Sequence, residues 1–345
     1  MTGLIGILII FLIVWIIFLL SKANEFVAEI KGDDTASNSS DRFNGFMFLL
    51  FLILGMGGFL WSVLHYAPMF LPPPASEHGA WIRQMFQVST VPIVIVFFIT
   101  HVLLFWFAFR YQYKKTNRAV HFAHSTKLEI VWTAIPAVVM VILVSIGLVN
   151  WFKIFDDPPA ESLIVEATGQ QFLWHLRYGG EDNVLGSKSV YDIGSENPFG
   201  MDWNDKAGVD DFKSDTLVMQ IEQPILVKIN SLDVLHSFYL PHFRVKMDAV
   251  PGIPTQFWFV PTKTTQQARD ERDDQKFNFE LACAELCGQS HFNMRRVVKV
   301  VNADEFQAWK ARQKTLYSIY RTKDTDTQKA ENNTREEDIK ATAGL

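Results

Sequence analysis

The 345-residue chain is 49% hydrophobic, 14% aromatic and only 20% charged, with a formal net charge of −5. That length suits about two domains, and the lack of a basic excess gives no support to nucleic-acid binding. Charge is unevenly placed: residues 1–152 carry 16 of the 69 charged side chains and residues 153–345 the other 53. A wholly soluble, a collagen-like or a wholly disordered chain is therefore excluded, and the first part reads as lipid-embedded and the second as water-soluble.

Four uncharged stretches, Leu4–Leu20, Phe46–His65, Val91–Phe109 and Ile130–Phe152, match the roughly 17–25 residues that a helix needs to cross hydrocarbon. The first is the shortest and competes with a signal peptide, but nothing basic precedes it and no clean small-residue cleavage site follows. The connection Arg110–Glu129 holds Arg110, Lys114, Lys115, Arg118 and Lys127 before its first acid, which places it in the cytoplasm. Counting spans in both directions puts the N-terminus and everything after Phe152 outside the cytoplasm. A cleaved first segment would break that parity, so four retained spans are expected. Glu129 stands at the cytoplasmic start of the fourth span. It reads either as an interfacial acid favoured by the helix dipole or as a proton-collecting group at a membrane entrance.

From Ser162 onwards the pattern turns to period two. Leu163–Ala167, Gln171–Tyr178, Leu217–Ile221, Ile225–Ile229, Gln256–Val260, Phe277–Leu281 and Arg296–Val301 read as strands. Short β-rich runs separated by Pro, Gly and Asp predict an antiparallel sandwich or barrel. Between them, Glu181–Asp215 holds nine acids against Lys188, Lys206 and Lys213. It is either a solvated loop or a docking surface for a basic partner. A helix at Ala303–Gln313 closes the domain. The final stretch, 321–345, has 11 charges in 25 positions and no aromatic residue, so it is expected to be disordered.

The only two cysteines fall in Cys283-Ala-Glu-Leu-Cys287-Gly-Gln-Ser-His291-Phe-Asn-Met294. Spacing of this kind suits a metal site better than a disulfide scaffold, and soft sulfur with imidazole selects copper or zinc. A structural zinc site would take two Cys and two His and leave Met294 without a role, whereas a weak Met beside Cys and His marks electron-transfer copper. Two cysteines can bridge two coppers if a second His caps the other metal. His236, within Leu232–Pro241, is expected to end a hydrophobic strand before a Pro-bounded loop and is the leading candidate; His242 competes with it. No Cys-x-x-Cys-His occurs, so no covalently attached c-type haem is expected.

These residues carry a resemblance. The chain is similar to subunit II of the haem–copper cytochrome c oxidases, the subunit bearing the dinuclear copper centre CuA. The family's Cys-x-Glu-x-Cys-Gly-x-x-His-x-x-Met run matches without a gap at Cys283–Met294. Asp-Val-x-His-Ser matches at Asp233–Ser237, Val245–Gly252 follows in place, and Glu-x-x-Trp-Thr-x-x-Pro matches Glu129–Pro136. The likeness covers about residues 88–313. It implies a membrane-anchored all-β fold: two additional transmembrane helices over 1–66, the family's helix hairpin over 88–153, and a cupredoxin-like Greek-key barrel over 160–313. The acidic insertion 181–215 lies within that barrel and the charged tail 321–345 follows it.

By the same likeness Cys283 and Cys287 bridge both coppers, His236 and His291 are terminal ligands, and Met294 is a weak axial ligand. Glu285 supplies the opposite axial ligand through its backbone carbonyl, and its side chain a ligand to a magnesium ion shared with subunit I. Glu129 corresponds to the acid at the mouth of the family's K proton pathway. The implied function is an electron relay from a c-type cytochrome to haem in subunit I, where oxygen is reduced to water and protons are moved, in a bacterial inner membrane with the copper domain periplasmic. Other oxidase subunits and membrane lipid are the further expected partners.

The family's Gly-x-Gln-Trp-x-Trp becomes Gly169-Gln-Gln-Phe-Leu-Trp174. Phe172 thus replaces the indole that usually receives electrons, while Trp174 is kept, and the electron path through 172 and 174 is in doubt. With the extra spans and the acidic insertion, this points to a donor held in an assembly with another respiratory complex. The rival readings are a CuA subunit of a nitric oxide reductase, a copper storage factor, a metal-free quinol-oxidase subunit and a structural zinc protein.

Overall fold

The computed structural model describes residues 2–32, 34–114, 120–194 and 197–320. The tail expected to be disordered at 321–345 lies outside the described residues, as do 115–119 of the basic connection and 195–196 of the acidic insertion. The chain divides into two compact units, residues 1–72 with 87–143, and residues 73–86 with 144–345.

Helices α1 (Thr2–Ile30), α2 (Asp34–Phe70), α3 (Glu77–Arg110) and α4 (Thr126–Ile154) contain the four expected spans. Each is long and apolar enough to cross a membrane. They overrun the uncharged stretches, because a helix need not end where hydrocarbon does. The Lys22–Arg42 connection is therefore helical on both sides of a short break. Lys22 and Glu25 pair at 2.8 Å on one helical face, and α1 ends before Gly32, whose φ of +67° suits a left-handed helix stop. In the first unit α2 packs on α3 through aromatic pairs, Phe59–Phe97 at 4.9 Å and Phe51–Phe105 at 5.3 Å between ring centroids.

Among the described residues the second unit has ten strands: β1 (Leu163–Gln170), β2 (Leu173–Tyr178), β3 (Phe212–Ser214), β4 (Thr216–Gln220), β5 (Ile225–Ser231), β6 (His236–Leu240), β7 (Val245–Ala249), β8 (Thr255–Phe259), β9 (Phe279–Cys283) and β10 (Arg295–Val301). They form two five-stranded sheets, β3-β2-β1-β5-β8 and β4-β10-β9-β6-β7. Inward-facing Val165, Ala167, Trp174, Val227, Phe238, Leu281 and Val298 fill the space between them, as period-two alternation requires. Helix α6 (Ala303–Lys310) lies against Tyr178 and Phe212 through Trp309.

Three expectations need correction. The sheets are not purely antiparallel: β1 runs parallel to β5 and β4 parallel to β10, because alternation reports which face is buried and not which way a neighbour runs. His236 opens β6 instead of ending a strand. The preceding segment is a turn closed by its own polar side chains, with Ser231 Oγ donating to Val234 O and Asp233 Oδ1 accepting from Val234 N–H, a local alternative to strand pairing. Helix α5 (Thr265–Arg272) was absent from the expected elements, although its capping box is plain in sequence. Thr264 Oγ1 accepts from Gln267 N–H and Gln267 Oε1 accepts from Thr264 N–H, the reciprocal pair that starts a helix.

The acidic insertion is more than a solvated loop. Arg177 on β2, 2% exposed, faces Glu166 on β1. Its guanidinium donates to Glu166 Oε2 at 2.8 Å, to Asp211 Oδ2 at 2.7 Å and to Gly186 O at 2.9 Å; Lys188 pairs with the same Glu166. Burial works against charge on Glu166, but Arg177 and Lys188 hold its carboxyl below the usual carboxylate range. Burial pushes Asp211 up to about 6 despite Arg177. Both ends of the insertion are thereby tied to β1 and β2. Removing one partner of a buried ion network leaves uncompensated charge and costs about 3–5 kcal/mol. Arg177→Met should lower the unfolding free energy of the soluble domain by that order in a urea titration; an unchanged midpoint would mean that other contacts hold the insertion.

Candidate metal centre

One end of the second sheet gathers every donor of the Cys283–Met294 run. Strand β9 delivers Cys283 at its last residue, and the β6–β9 register pairs Phe238 with Cys283. His236, two residues before Phe238, therefore reaches the same edge. The chain then turns through Cys287 and a 3-10 turn at His291–Asn293, and returns as β10 directly after Met294. The Sγ atoms of Cys283 and Cys287 are 3.9 Å apart, far beyond the ~2.05 Å of a disulfide. His236 Nδ1 lies 3.8 Å from Cys283 Sγ, and His291 Nδ1 lies 3.5 Å from Cys287 Sγ. Met294 Sδ is 3.9 Å from Cys287 Sγ, and the Glu285 carbonyl is 3.1 Å from Cys283 Sγ.

His236, Cys283 and Cys287 bring one ligand atom each to within 4.8 Å of one another. His242 stands outside that group, its ring against Phe277 and Phe279. Burial, and then the neighbouring Cys283 sulfur, pushes the Cys287 thiol up to about 11. A bound cation must therefore displace a proton.

His236 is fully buried and is held from three sides. Its Nε2 donates to Asp233 Oδ1 at 2.8 Å, which leaves Nδ1 with its lone pair towards the sulfurs; a carboxylate behind a ligating imidazole commonly sets the tautomer in this way. Burial opposes charge on Asp233, but hydrogen bonds from Gln171 N–H, His236 and Val234 N–H hold its carboxyl below the usual range. Trp174 meets the imidazole ring edge-on at 6.0 Å. On the opposite sheet Gly169 leaves room for the ring, since a Cβ there would sit 2.8 Å from His236 Cδ2.

The other sequence candidates lie elsewhere. Glu129 is in the first turn of α4, where it accepts weakly from Ser125 N–H at 3.4 Å. Trp174 is fully buried, so its contacts are with His236 and Phe238 and not with solvent. Phe172 is half-buried and packs over Gly288. The Glu285 side chain is exposed. Sequence reasoning passed over Asp233 and Gly169 as site residues. An acid three positions before the histidine and a glycine before the Gln-Gln-Phe run were the available signals.

Two family profiles match the chain: cytochrome c oxidase subunit II, periplasmic domain, over residues 163–301, and cytochrome c oxidase subunit II, transmembrane domain, over residues 65–149. A relative from Bradyrhizobium diazoefficiens, described as alternative cytochrome c oxidase subunit 2, is 33% identical over 273 residues, or 79% of this chain and 93% of the relative. The chain belongs to the cytochrome c oxidase subunit II family. A second member, cytochrome c oxidase subunit 2 of Cereibacter sphaeroides, is 32% identical over 246 residues, covering 68% of this chain and 76% of the relative. Among solved structures, the periplasmic domain of subunit II of cytochrome oxidase from Bradyrhizobium japonicum is 27% identical, with a TM-score of 0.31 and coverage of 45% of this chain and 95% of that one.

As a member of this family the chain is the electron-accepting subunit of an oxidase complex, anchored in a membrane and carrying a periplasmic cupredoxin-like domain. The transmembrane match spans α3 and α4 and leaves α1 and most of α2 before it. Gly169 is paired on both sides, with Trp174 and with Ser231, so its backbone has little room to yield. Gly169→Ala should displace the His236 ring and weaken metal binding about 10–100-fold in a metal titration; wild-type affinity would show that the imidazole is free to move.

Proposed function

We propose that this site would hold a pair of copper ions, with the sulfurs of Cys283 and Cys287 as shared donors, the imidazoles of His236 and His291 as one further donor each, and Met294 and the Glu285 carbonyl as the weaker donors. One observation carries the reading: a pair of unbonded sulfurs 3.9 Å apart has one imidazole nitrogen beside each sulfur. The donors are soft and suit copper. Four-coordinate zinc would leave Met294, buried and 3.9 Å from Cys287 Sγ, without a part. When bound, the copper pair supplies one-electron acceptance and release between a c-type cytochrome and the haem of subunit I, where oxygen is reduced to water and protons cross the membrane.

The protein's own groups give that chemistry its setting. Asp233 fixes the His236 tautomer, and Trp174, itself packed on Phe238, covers the inner side of the buried imidazole. Strands β6, β9 and β10 hold the donors at one sheet end, so little rearrangement accompanies a change of charge. Phe172 and Trp174 are the aromatic groups assigned to the electron path. The first replaces an indole with a phenyl ring and so removes a polar N–H from the surface. The exposed Glu285 carboxylate is the proposed ligand to magnesium shared with subunit I. Glu129, at the cytoplasmic start of α4, is assigned to proton uptake.

The membrane is assigned as a bacterial inner membrane. Helices α1 and α2, which contain the two additional spans expected over residues 1–66, serve as anchors in contact with lipid and with other oxidase subunits. The acidic insertion at 181–215 suits a basic donor held in an assembly with another respiratory complex.

Electron paramagnetic resonance of the copper-loaded protein tests the centre. Hyperfine structure shared over two coppers is expected, and Cys283→Ser or Cys287→Ser should each abolish it; normal copper content and signal in both variants would overturn the ligand set. Glu129→Ala should slow oxidase turnover several-fold and leave the copper spectrum unchanged, whereas an unaltered rate would reduce Glu129 to a helix-terminal acid.

A further inference from the structure

The tip of the β1–β2 hairpin belongs to the first sheet, yet it touches three separate parts of a site built on the second. Gly169 faces the His236 ring. The backbone N–H of Gln171 donates to Asp233 Oδ2 at 2.7 Å, and the other oxygen of that carboxylate holds His236 Nε2. The side chain of Gln171 turns to the other arm, where Nε2 donates to the Cys287 carbonyl at 2.6 Å. Beside that bond Gly288 adopts φ +134°, and a Cβ on it would sit 3.0 Å from both Gln171 Nε2 and the Phe172 ring. One residue thus bonds, through two different groups, to the loop that orients His236 and to the loop that carries Cys287.

We infer that Gln171 is a positioning residue for the metal centre: it ties the His236 arm to the Cys287 arm and sets their separation. Cys287 and Met294 point into the core, but the apolar side chains Leu286 and Phe292 of the same loop are 78% and 75% exposed and do not anchor it. A backbone carbonyl at a candidate ligand, bonded by an amide from the opposite sheet, adds a polar anchor to that packing. The neighbouring glutamine supplies an internal contrast. Gln170 Oε1 is 2.7 Å from His175 Nε2, and His175 in turn packs on Phe199 of the insertion. Two successive amides therefore serve different partners, Gln171 the metal loops and Gln170 the insertion.

This inference rests on the copper reading above, and the experiment keeps the two apart. The intact oxidase is purified with wild-type, Gln171→Met and Gln170→Met forms of this chain. Copper retention against a copper(I) chelator and the paramagnetic resonance of the copper pair are then measured. Methionine keeps the length of the side chain and removes the donor, while the bond from the 171 backbone N–H to Asp233 persists. Gln171→Met is expected to lose copper about tenfold faster, at the low end for a residue supporting a ligand because Gln171 faces solvent. The unpaired electron should also be shared less evenly between the two coppers. Gln170→Met should match wild type on both measures. Wild-type retention and spectrum in Gln171→Met would overturn the inference, as would an equal loss in Gln170→Met, which would make the effect one of hairpin stability. Absence of a dinuclear signal from the wild-type chain would instead overturn the copper assignment itself.

Discussion

The soluble domain turns on one buried imidazole. His236 has no exposure to solvent, and a buried polar ring must be paired or it costs free energy. Asp233 accepts its Nε2 proton, Trp174 covers one side and Gly169 leaves space for it on the facing sheet. The constraint runs both ways. The two sheets can approach to their observed spacing only because residue 169 has no side chain, and the imidazole can present Nδ1 to the sulfurs only because Asp233 occupies the opposite nitrogen. The direction of the lone pair, and with it the donor set, follows from packing between sheets.

The remaining donors depend on strand ends. Cys283 is the last residue of β9 and Met294 the one before β10, so the intervening loop has its termini held 3.2 Å apart by the Cys283 N–H to Met294 O bond. Within that span Cys287 and His291 need only a tight turn to face inward. A rigid frame with a short variable loop is a general way to place ligating or reacting groups. It matches an electron-transfer role, in which donors that move little keep the cost of changing charge small. The acidic insertion is a separate device anchored on the other sheet. Its buried ion network around Arg177 and Glu166 shares strands β1 and β2 with the site, but it leads to the loop at 186–211 and not to the metal donors.

Much of this was legible beforehand because it depends on local pattern. Uncharged runs marked the four helices, since nothing but length and apolarity is needed to cross hydrocarbon. Alternation marked seven strands, and the spacing of Cys283, Cys287, His291 and Met294 marked the metal run. Other features were hidden for equally physical reasons. Strand direction leaves no trace in alternation, so the parallel pairs β1–β5 and β4–β10 were missed. The turn at Ser231–Leu235 looked like strand because its apolar residues Leu232, Val234 and Leu235 outweighed Ser231 and Asp233, whose hydrogen bonds in fact end β5. The anchoring of the insertion was invisible because Arg177, Glu166 and Asp211 meet only when β1 pairs with β2 and the loop returns.

The sequence by itself determined the chemistry: which donor atoms exist, how soft they are and that they follow an apolar membrane anchor, all of which are properties of residue type and order. Only the tertiary structure decided how the preferred histidine reaches the sulfurs. His236, already the leading candidate from its motif, and His242 are six positions apart, and they part because β6 pairs with β9 in a register that brings His236 to the cysteine edge and leaves His242 beyond the far end of the strand among phenylalanines. That register is set by the long-range packing of two sheets, which no local spacing can encode.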